Sequence, residues 1–257
     1  MNAITLTPIT GIPLIQPGDD LPRILTGALG GHGDARLPAP TTGDVLVVAQ
    51  KIVSKAEGQH VDLTTVTPSP RAVELAAITQ KDPRLIEVIL WDTREVIRTR
   101  PGLIIVEHRL GWVCANAGVD RSNVAPEGQD VVLRLPADPD ASAARIRAAL
   151  RERFGADIGV IVADTHGRPH RTGTIGIAIG VAGLPGLEDW RGRKDLFGYT
   201  LQHTEVGLAD QIASAATLLL GQAAEAVPAI LVHGVPFERR EGSARELVRP
   251  REMDLFR

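Results

Sequence analysis

Two apolar runs, DIGVIVA at 157–163 and TIGIAIGVAG at 174–183, stand on either side of the polar stretch DTHGRPHRTG. Runs of this kind, rich in Val and Ile, read as buried strands. The Asp164-Thr165 pair closes the first run, and Arg168, His170 and Arg171 crowd the residues after it. A carboxylate at the end of a buried strand is either a turn former, bonding to its own backbone, or a ligand for a cation. The rest of the chain has to separate the two.

Further elements follow from local signals. Asp44-VLVVA reads as a short buried strand, and PAILVH as a last one. Ser69-Pro70 predicts a helix over 70–81, and Asp82-Pro83 repeats the start signal for a helix to about Trp91. EVIRT and LIIVE flank Pro101-Gly102 as two antiparallel strands, and VVLRL is another strand. Asp138-Pro139 opens an Arg- and Ala-rich helix that Gly155 should end. Over 204–220, Val206, Ala209, Ile212, Ala213, Ala216 and Leu220 recur at helical spacing. Ser243 and Glu246 form a capping box for a short terminal helix. The order is mixed α+β without sustained βαβ alternation, so a doubly wound sheet is not expected.

With aromatics at 3% of 257 residues, the core must be built from Ala, Val, Leu and Ile. A net charge of −3 gives no bulk attraction to nucleic acid or to an anionic membrane, so a basic site has to be local. No apolar run approaches the roughly 20 residues of a membrane helix, and MNAITLTPITG lacks the features of a signal peptide. Cys114 is the single cysteine, which rules out an intrachain disulfide. A cytoplasmic protein is expected.

Neither the phosphate-loop pattern nor the dinucleotide fingerprint occurs. His166 and His170 have the i, i+4 spacing of a zinc helix, but Gly167 and Pro169 between them argue against a helix, and the lone cysteine adds no support. Asp164-Thr165 offers oxygen ligands of the kind Mg²⁺ and Mn²⁺ prefer, with Arg168 and Arg171 close enough in sequence to meet anions. Asp120 and Asn123, in the loop NAGVDRSN, are either a capped turn or a second carboxylate segment able to share a cation with Asp164. Lys55 follows the Asp44 strand beside Ser54 and ahead of Gly58; it is a surface lysine or a phosphate contact. The patch Trp190-Arg-Gly-Arg-Lys-Asp195 is a solvated loop or an anion clamp, and the middle glycines of GTIGIAIGVAG, Gly176 and Gly180, read as sites of tight strand packing or bulges.

Taken in order, GIPLIQPGDDL, GDVLVVAQKIVSKAEG, NAGVDRSNV, ADTHGRPHRTGTIGIAIG, DWRGRKDLFG and LGQ ahead of VPAILV resemble the coenzyme F420-0:L-glutamate ligases. The likeness covers nearly the whole chain. It implies a γ-glutamyl-ligase-like α+β fold of mixed sheets with flanking helices, one domain or two intimately joined subdomains over 1–257, in an intertwined homodimer. It also implies GTP-dependent addition of L-glutamate to the carboxylate of the deazaflavin precursor coenzyme F420-0, with γ-linked extension following. Two divalent cations, Mg²⁺ or Mn²⁺, are implied, with K⁺ as a further candidate ion. By motif position, Asp120 and Asp164 bind one metal, and Thr165 and Gln222 the other. Ile12, Pro13, Leu14, Ile15, Gln50, Lys51, Lys55 and Asn123 hold GTP. So does the segment Leu220, Gly221, Gln222, Ala223, Ala224, Glu225, Ala226 and Val227. Asp120, Asp164 and Lys55 are the catalytic candidates. Three places depart from the expected pattern: Gln222 stands for a frequent glutamate, Gln50-Lys51 for small hydroxyl residues, and His166 for asparagine. Some relatives carry an added flavin-binding reductase-like domain, which is not expected in a chain ending at Arg257.

The chemistry agrees with the residue types. A carboxylate does not accept an amine at neutral pH because oxide is a poor leaving group, whereas an acyl phosphate has phosphate to lose. Making one from GTP requires phosphate charge to be neutralised, by cations and by Lys55. The alternatives are another nucleotide-dependent carboxylate–amine ligase with a different acceptor, and a non-catalytic nucleotide-binding module. Two acidic segments plus Asp164-Thr165 are more ligands than a simple binder needs.

Overall fold

A computed structural model describes residues 3–32 and 39–255. The strands and α-helices run β1 (Thr5–Pro8), α1 (Leu21–Gly27), β2 (Val45–Ala49), α2 (Gln50–Ala56), β3 (His60–Asp62), α3 (Pro70–Thr79) and α4 (Pro83–Trp91). Next come β4 (Thr93–Arg100), β5 (Leu103–His108), β6 (Val113–Ala115), β7 (Val131–Leu133) and α5 (Pro139–Phe154). The last group is β8 (Gly159–Arg168), β9 (Arg171–Ala182), β10 (Glu188–Asp189), β11 (Glu205–Val206), α6 (Leu208–Leu220) and β12 (Ala229–His233). None of these helices is long and apolar enough to cross a membrane.

Five strands form the central sheet in the order β1-β12-β2-β8-β9. Only β2 and β8 run parallel; the other neighbours are antiparallel. Both faces are covered, which is why these strands are apolar without alternation. Leu46, Val48, Val160, Val162 and Leu231 pack with residues of α1 and α5 on one face. Val45, Val47, Ile161, Ile230 and Val232 pack with Leu208, Ala209, Ile212 and Ala213 of α6 on the other. Helix α5 starts and stops where its local signals place it: the Asp138 side chain accepts from the Ala141 amide, and Gly155 ends it in the left-handed region at φ 64°.

Two glycines of β9 let the helices approach. A Cβ on Gly180 would stand 2.3 Å from the Pro139 carbonyl oxygen at the head of α5, and one on Gly176 would stand 2.6 Å from the Ala213 carbonyl oxygen of α6. Tight packing is thus the role of these two positions.

A separate core forms where α3 and α4 cover the sheet β4-β5-β6, with Leu75, Ile86, Ile89, Ile104 and Val106 buried. β4 and β5 pair antiparallel across Pro101-Gly102 as expected. From β6 the chain turns through Asn116, Ala117 and Gly118, all with positive φ (54°, 52° and 72°), and arrives at Asp120. Gly118 is required there, because a Cβ would meet the Leu135 side chain at 2.5 Å.

Several boundaries differ from the sequence reading. Helix α3 ends at Thr79, where Gln80 turns left-handed, so it is shorter than 70–81. The VVLRL strand pairs only over Val131–Leu133. Residues 205–206 belong to a two-stranded ribbon with β10, so α6 begins at Leu208 and not at 204. The capping box at Ser243 is present but opens a 3-10 turn, Ala244–Leu247, in place of an α-helix. Helices α1 and α2 lie where no helix was predicted.

Candidate active site

Strand β8 pairs with β2 only as far as Ala49 opposite Ala163. Beyond that point it keeps one neighbour, β9, and the two continue as a ribbon to the turn at Pro169-His170. Asp164 and Thr165 are therefore neither a strand end nor part of a turn. They sit mid-strand, at the step where β8 loses its parallel partner and its inner edge opens. The Asp164 carboxylate meets His166 Nε2 at 2.9 Å, as residues two apart on one strand face can. A turn-forming role for Asp164 is excluded by this placement.

The same step frees the end of β2, which runs straight into α2. Lys51 and Lys55 are one turn apart on that helix and reach the loop after Asp120. Lys51 Nζ lies 2.7 Å from Asp120 Oδ2 and donates to Ser122 Oγ at 2.6 Å. Lys55 Nζ donates to the Asn123 carbonyl oxygen at 2.6 Å, and Asn123 Nδ2 donates to the Ala223 carbonyl oxygen at 2.7 Å. Asn123 thus ties α2 to the segment that follows α6. Burial and then the neighbouring Lys51 charge lower the Lys55 pKa from its ordinary value. For Asp120, burial pushes upward, but the Lys51 ammonium and the Ser122 amide and hydroxyl outweigh it and hold the carboxyl below its usual range.

Between these segments lies a cavity of about 330 Å³. Ile12, Pro13, Leu14 and Ile15 form one wall; Gln50, Lys51, Lys55 and Asn123 form a second. The third is Leu220, Gly221, Gln222, Ala223, Ala224, Glu225, Ala226 and Val227, with Asp164 and Thr165 also lining it. Every position that the resemblance assigns to GTP borders this one space. Asp120 does not line it; its carboxylate stands behind, on Lys51. Gln50 is buried, and its Oε1 accepts from Ser54 Oγ at 2.9 Å, so this side chain is partly committed to holding α2.

The segment after α6 is shaped by Glu225. Its carboxylate accepts from the Ala223 amide at 2.8 Å, and backbone bonds from Ala223, Glu225 and Gln222 lower its pKa. Gly221, at φ 74°, leaves room for that carboxylate, which would stand 2.2 Å from a Cβ there. Backbone N–H groups converging in this way make an anion-binding nest, here filled by the chain's own carboxylate.

Thr217, Ala49, Ile52, Ala163 and Pro228 also line the cavity and were not singled out in the sequence. Thr217 was within reach of helical periodicity, standing three residues before Leu220 on α6; Ile52 was not, because it lies on α2, where no helix was predicted. Among the described residues, no three His, Cys, Asp or Glu side chains converge as a metal cage. The donor set does fit hard divalent cations. Asp164 supplies a carboxylate, Thr165 a hydroxyl and Gln222 an exposed amide at the cavity, with Asp120 nearby through Lys51. Such ions keep several waters and need few protein oxygens.

Comparison with known proteins decides the family. Residues 10–234 match the F420-0:Gamma-glutamyl ligase family. The chain belongs to that family. It is 44% identical to the coenzyme F420:L-glutamate ligase of Methanothermobacter thermautotrophicus over 99% of both chains. Against the protein of the same name from Methanopyrus kandleri it is 46% identical over 100% of both. With that of Archaeoglobus fulgidus the figures are 39%, over 99% of this chain and 96% of the relative. In this family member five of the six motif blocks fold around one cavity at the open end of a parallel strand pair, a usual place for ligands in α/β sheets, and DWRGRKDLFG does not line it.

Proposed function

We propose that the protein is a GTP-dependent ligase that joins L-glutamate to the carboxylate of coenzyme F420-0, acting as one catalytic unit over the whole chain. The observation that carries this reading is the single cavity in which two lysines, a strand-borne carboxylate and a backbone nest meet. The relatives named as coenzyme F420:L-glutamate ligases, similar over nearly their full length, support the substrates.

The chain's residues suit an acyl-phosphate route. A carboxylate oxygen of the acceptor attacks the γ-phosphorus of GTP, the β–γ bridging bond breaks, and GDP leaves with its electron pair. The amine nitrogen of glutamate then attacks the acyl carbon, the bond to phosphate breaks, and the amine's surplus proton goes to solvent. Lys55, pinned by the Asn123 carbonyl oxygen, places a positive charge where phosphate charge gathers. Lys51 holds Asp120 in its ionised form. Asp164, Thr165, Gln222 and Asp120 are the residues to hold Mg²⁺ or Mn²⁺, which when bound would neutralise phosphate charge. Nucleotide phosphates would displace Glu225 from the backbone nest. A homodimer in the cytoplasm is part of the same reading; the exposed Leu196, Phe197 and Tyr199 of the 190–204 loop support a partner-covered surface.

Purified protein incubated with GTP, Mn²⁺, L-glutamate and coenzyme F420-0 should yield products heavier by one glutamyl unit or more, with GDP and phosphate released. Mass spectrometry and phosphate assay read both. AMP and pyrophosphate in their place would refute phosphoryl transfer, and an unaltered acceptor would refute the ligase.

A further inference from the structure

The ribbon beyond Thr165 is not used by the cavity, since no residue from 166 to 176 lines it. At its tip Arg168 and Arg171 are paired directly across the two strands. Like charges in that position repel, and sheets normally avoid the arrangement. No carboxylate relieves it: among the described residues neither guanidinium forms an ion pair, and the one side-chain bond is a long 3.4 Å contact from Arg168 Nη2 to the Thr172 carbonyl oxygen. The turn that holds the pair is stiff. Pro169 fixes the first turn position, and His170 takes the left-handed conformation at φ 62°, which a histidine adopts at some cost. Two unneutralised arginines are thus held side by side on a rigid tip.

Their place relative to the cavity matters. Arg168 is four residues beyond Asp164 on β8, about 13 Å along a strand, past a register shift between Gly167 and Arg168. On this strand the cavity lining ends at Thr165, so the tip stands outside it. On the ligase reading the amine still has to be held, and outside the cavity assigned to nucleotide. L-Glutamate carries two carboxylates that do not react and must be held while its nitrogen attacks.

We propose that Arg168 and Arg171 form the recognition element for L-glutamate, their guanidinium groups pairing with its carboxylates. The inference rests on the ligase reading above. It gives the ribbon a function: Asp164 at its base serves the phosphoryl end and the arginine pair at its tip selects a dianionic nucleophile. Arginine suits the task because its planar fork pairs with carboxylate oxygens in a fixed geometry.

The test uses the full-length protein and the variants Arg168→Ala, Arg171→Ala and the double change. Arg171 is exposed and Arg168 half-buried, and neither is in an ion pair among the described residues, so their removal should leave thermal stability nearly unchanged. The KM for L-glutamate should rise roughly 10- to 100-fold, as expected for losing charge-assisted hydrogen bonds, with KM for GTP unaltered and kcat within about threefold. Discrimination against L-glutamine should shrink in the variants, and Arg168→Lys should restore only part of the affinity. Saturation-transfer NMR of L-glutamate with wild type and double variant reads the same contact without turnover. An unchanged KM for glutamate, or equal NMR transfer in both proteins, overturns the assignment. A rise confined to KM for the deazaflavin acceptor also overturns it, assigning the pair to an anionic group of that substrate. Wild type that binds glutamate but forms no product would refute the ligase reading and leave the arginine contact standing.

Discussion

Replacing Gly176 by alanine isolates the packing that builds one side of the active site. Gly176 pairs with Thr165 across the ribbon. An added Cβ would stand 2.6 Å from the Ala213 carbonyl oxygen, 2.6 Å from Thr217 Cγ2 and 2.8 Å from Thr217 Oγ1. Ordinary contact begins near 3.4 Å, so α6 and β9 must part by several tenths of an ångström. The Ser214 Oγ donation to the Gly176 carbonyl oxygen, 2.6 Å, stretches with them. Forced overpacking of this kind costs about 1–3 kcal/mol. Alanine also reduces the freedom of the unfolded chain, a gain of about 0.4–1 kcal/mol wherever the backbone tolerates it. Gly167 supplies the control, since it lies on the same ribbon with nothing within 4 Å of its would-be Cβ. The difference between Gly176→Ala and Gly167→Ala removes the unfolded-chain effect and should be about 1–3 kcal/mol, read as the shift in urea midpoint multiplied by m. Thr217 and Leu220 line the cavity, so Gly176→Ala should also lower turnover, by up to about 100-fold for a displacement near 1 Å. Two variants equal in stability within about 0.5 kcal/mol would refute the close approach of α6.

On the proposed function Asp164→Asn should abolish turnover with little change in stability; near-normal activity would refute the proposed metal role of Asp164. Gln222 offers an amide oxygen without charge, so on the proposed function any cation it holds should arrive mainly with nucleotide. Gln222→Glu should tighten Mn²⁺ binding to the nucleotide-free protein and Gln222→Ala should raise the Mn²⁺ needed for turnover; calorimetry with and without GDP that shows no change in either variant excludes Gln222. His108 is buried against Trp112, ring centroids 5.0 Å apart, and burial pushes its pKa down to about 4, with Arg109, Arg134 and His166 adding to the effect and Asp92 opposing it. The unfolded chain binds the proton more readily, so this stability is present above about pH 6.5 and is lost as pH falls toward 4, about 3 kcal/mol at 1.36 kcal/mol per pH unit. An NMR titration placing the His108 midpoint near 6.5 would contradict it.

The elements legible in the sequence are those whose signals are local. The helix α5 carries its own cap, its Pro start and its Gly stop, and α4 its Asp-Pro start; each depends on residues within a turn or two. The apolar runs of β2, β8, β9 and β12 declare burial on both faces whatever their neighbours. By contrast α2, Gln50–Ala56, has Ala49 as its N-cap, which offers no capping side chain, so nothing local announces that helix. α1 has an Asp20 cap and a Pro22 but spans only seven residues, too short for a periodic pattern to stand out.

The site divides in the same way. Residue type marked Asp164-Thr165, Lys55, Asp120 and Asn123 only as candidates, turn formers or surface groups as readily as ligands, and the order of the motif blocks was what assigned them roles. Where Asp164 stands was decided by tertiary structure. The apolar run stops at Ala163, yet the strand continues to Arg168, because the length of a strand is set by the partner it pairs with and β9 outlasts β2. The cavity likewise assembles from segments around residues 13, 52, 123, 164 and 224, and no local propensity records that separation. The contacts that close it, Lys55 to Asn123 and Asn123 to Ala223, exist only once two independent cores have folded and the strained turn at 116–118 has aimed the loop between them.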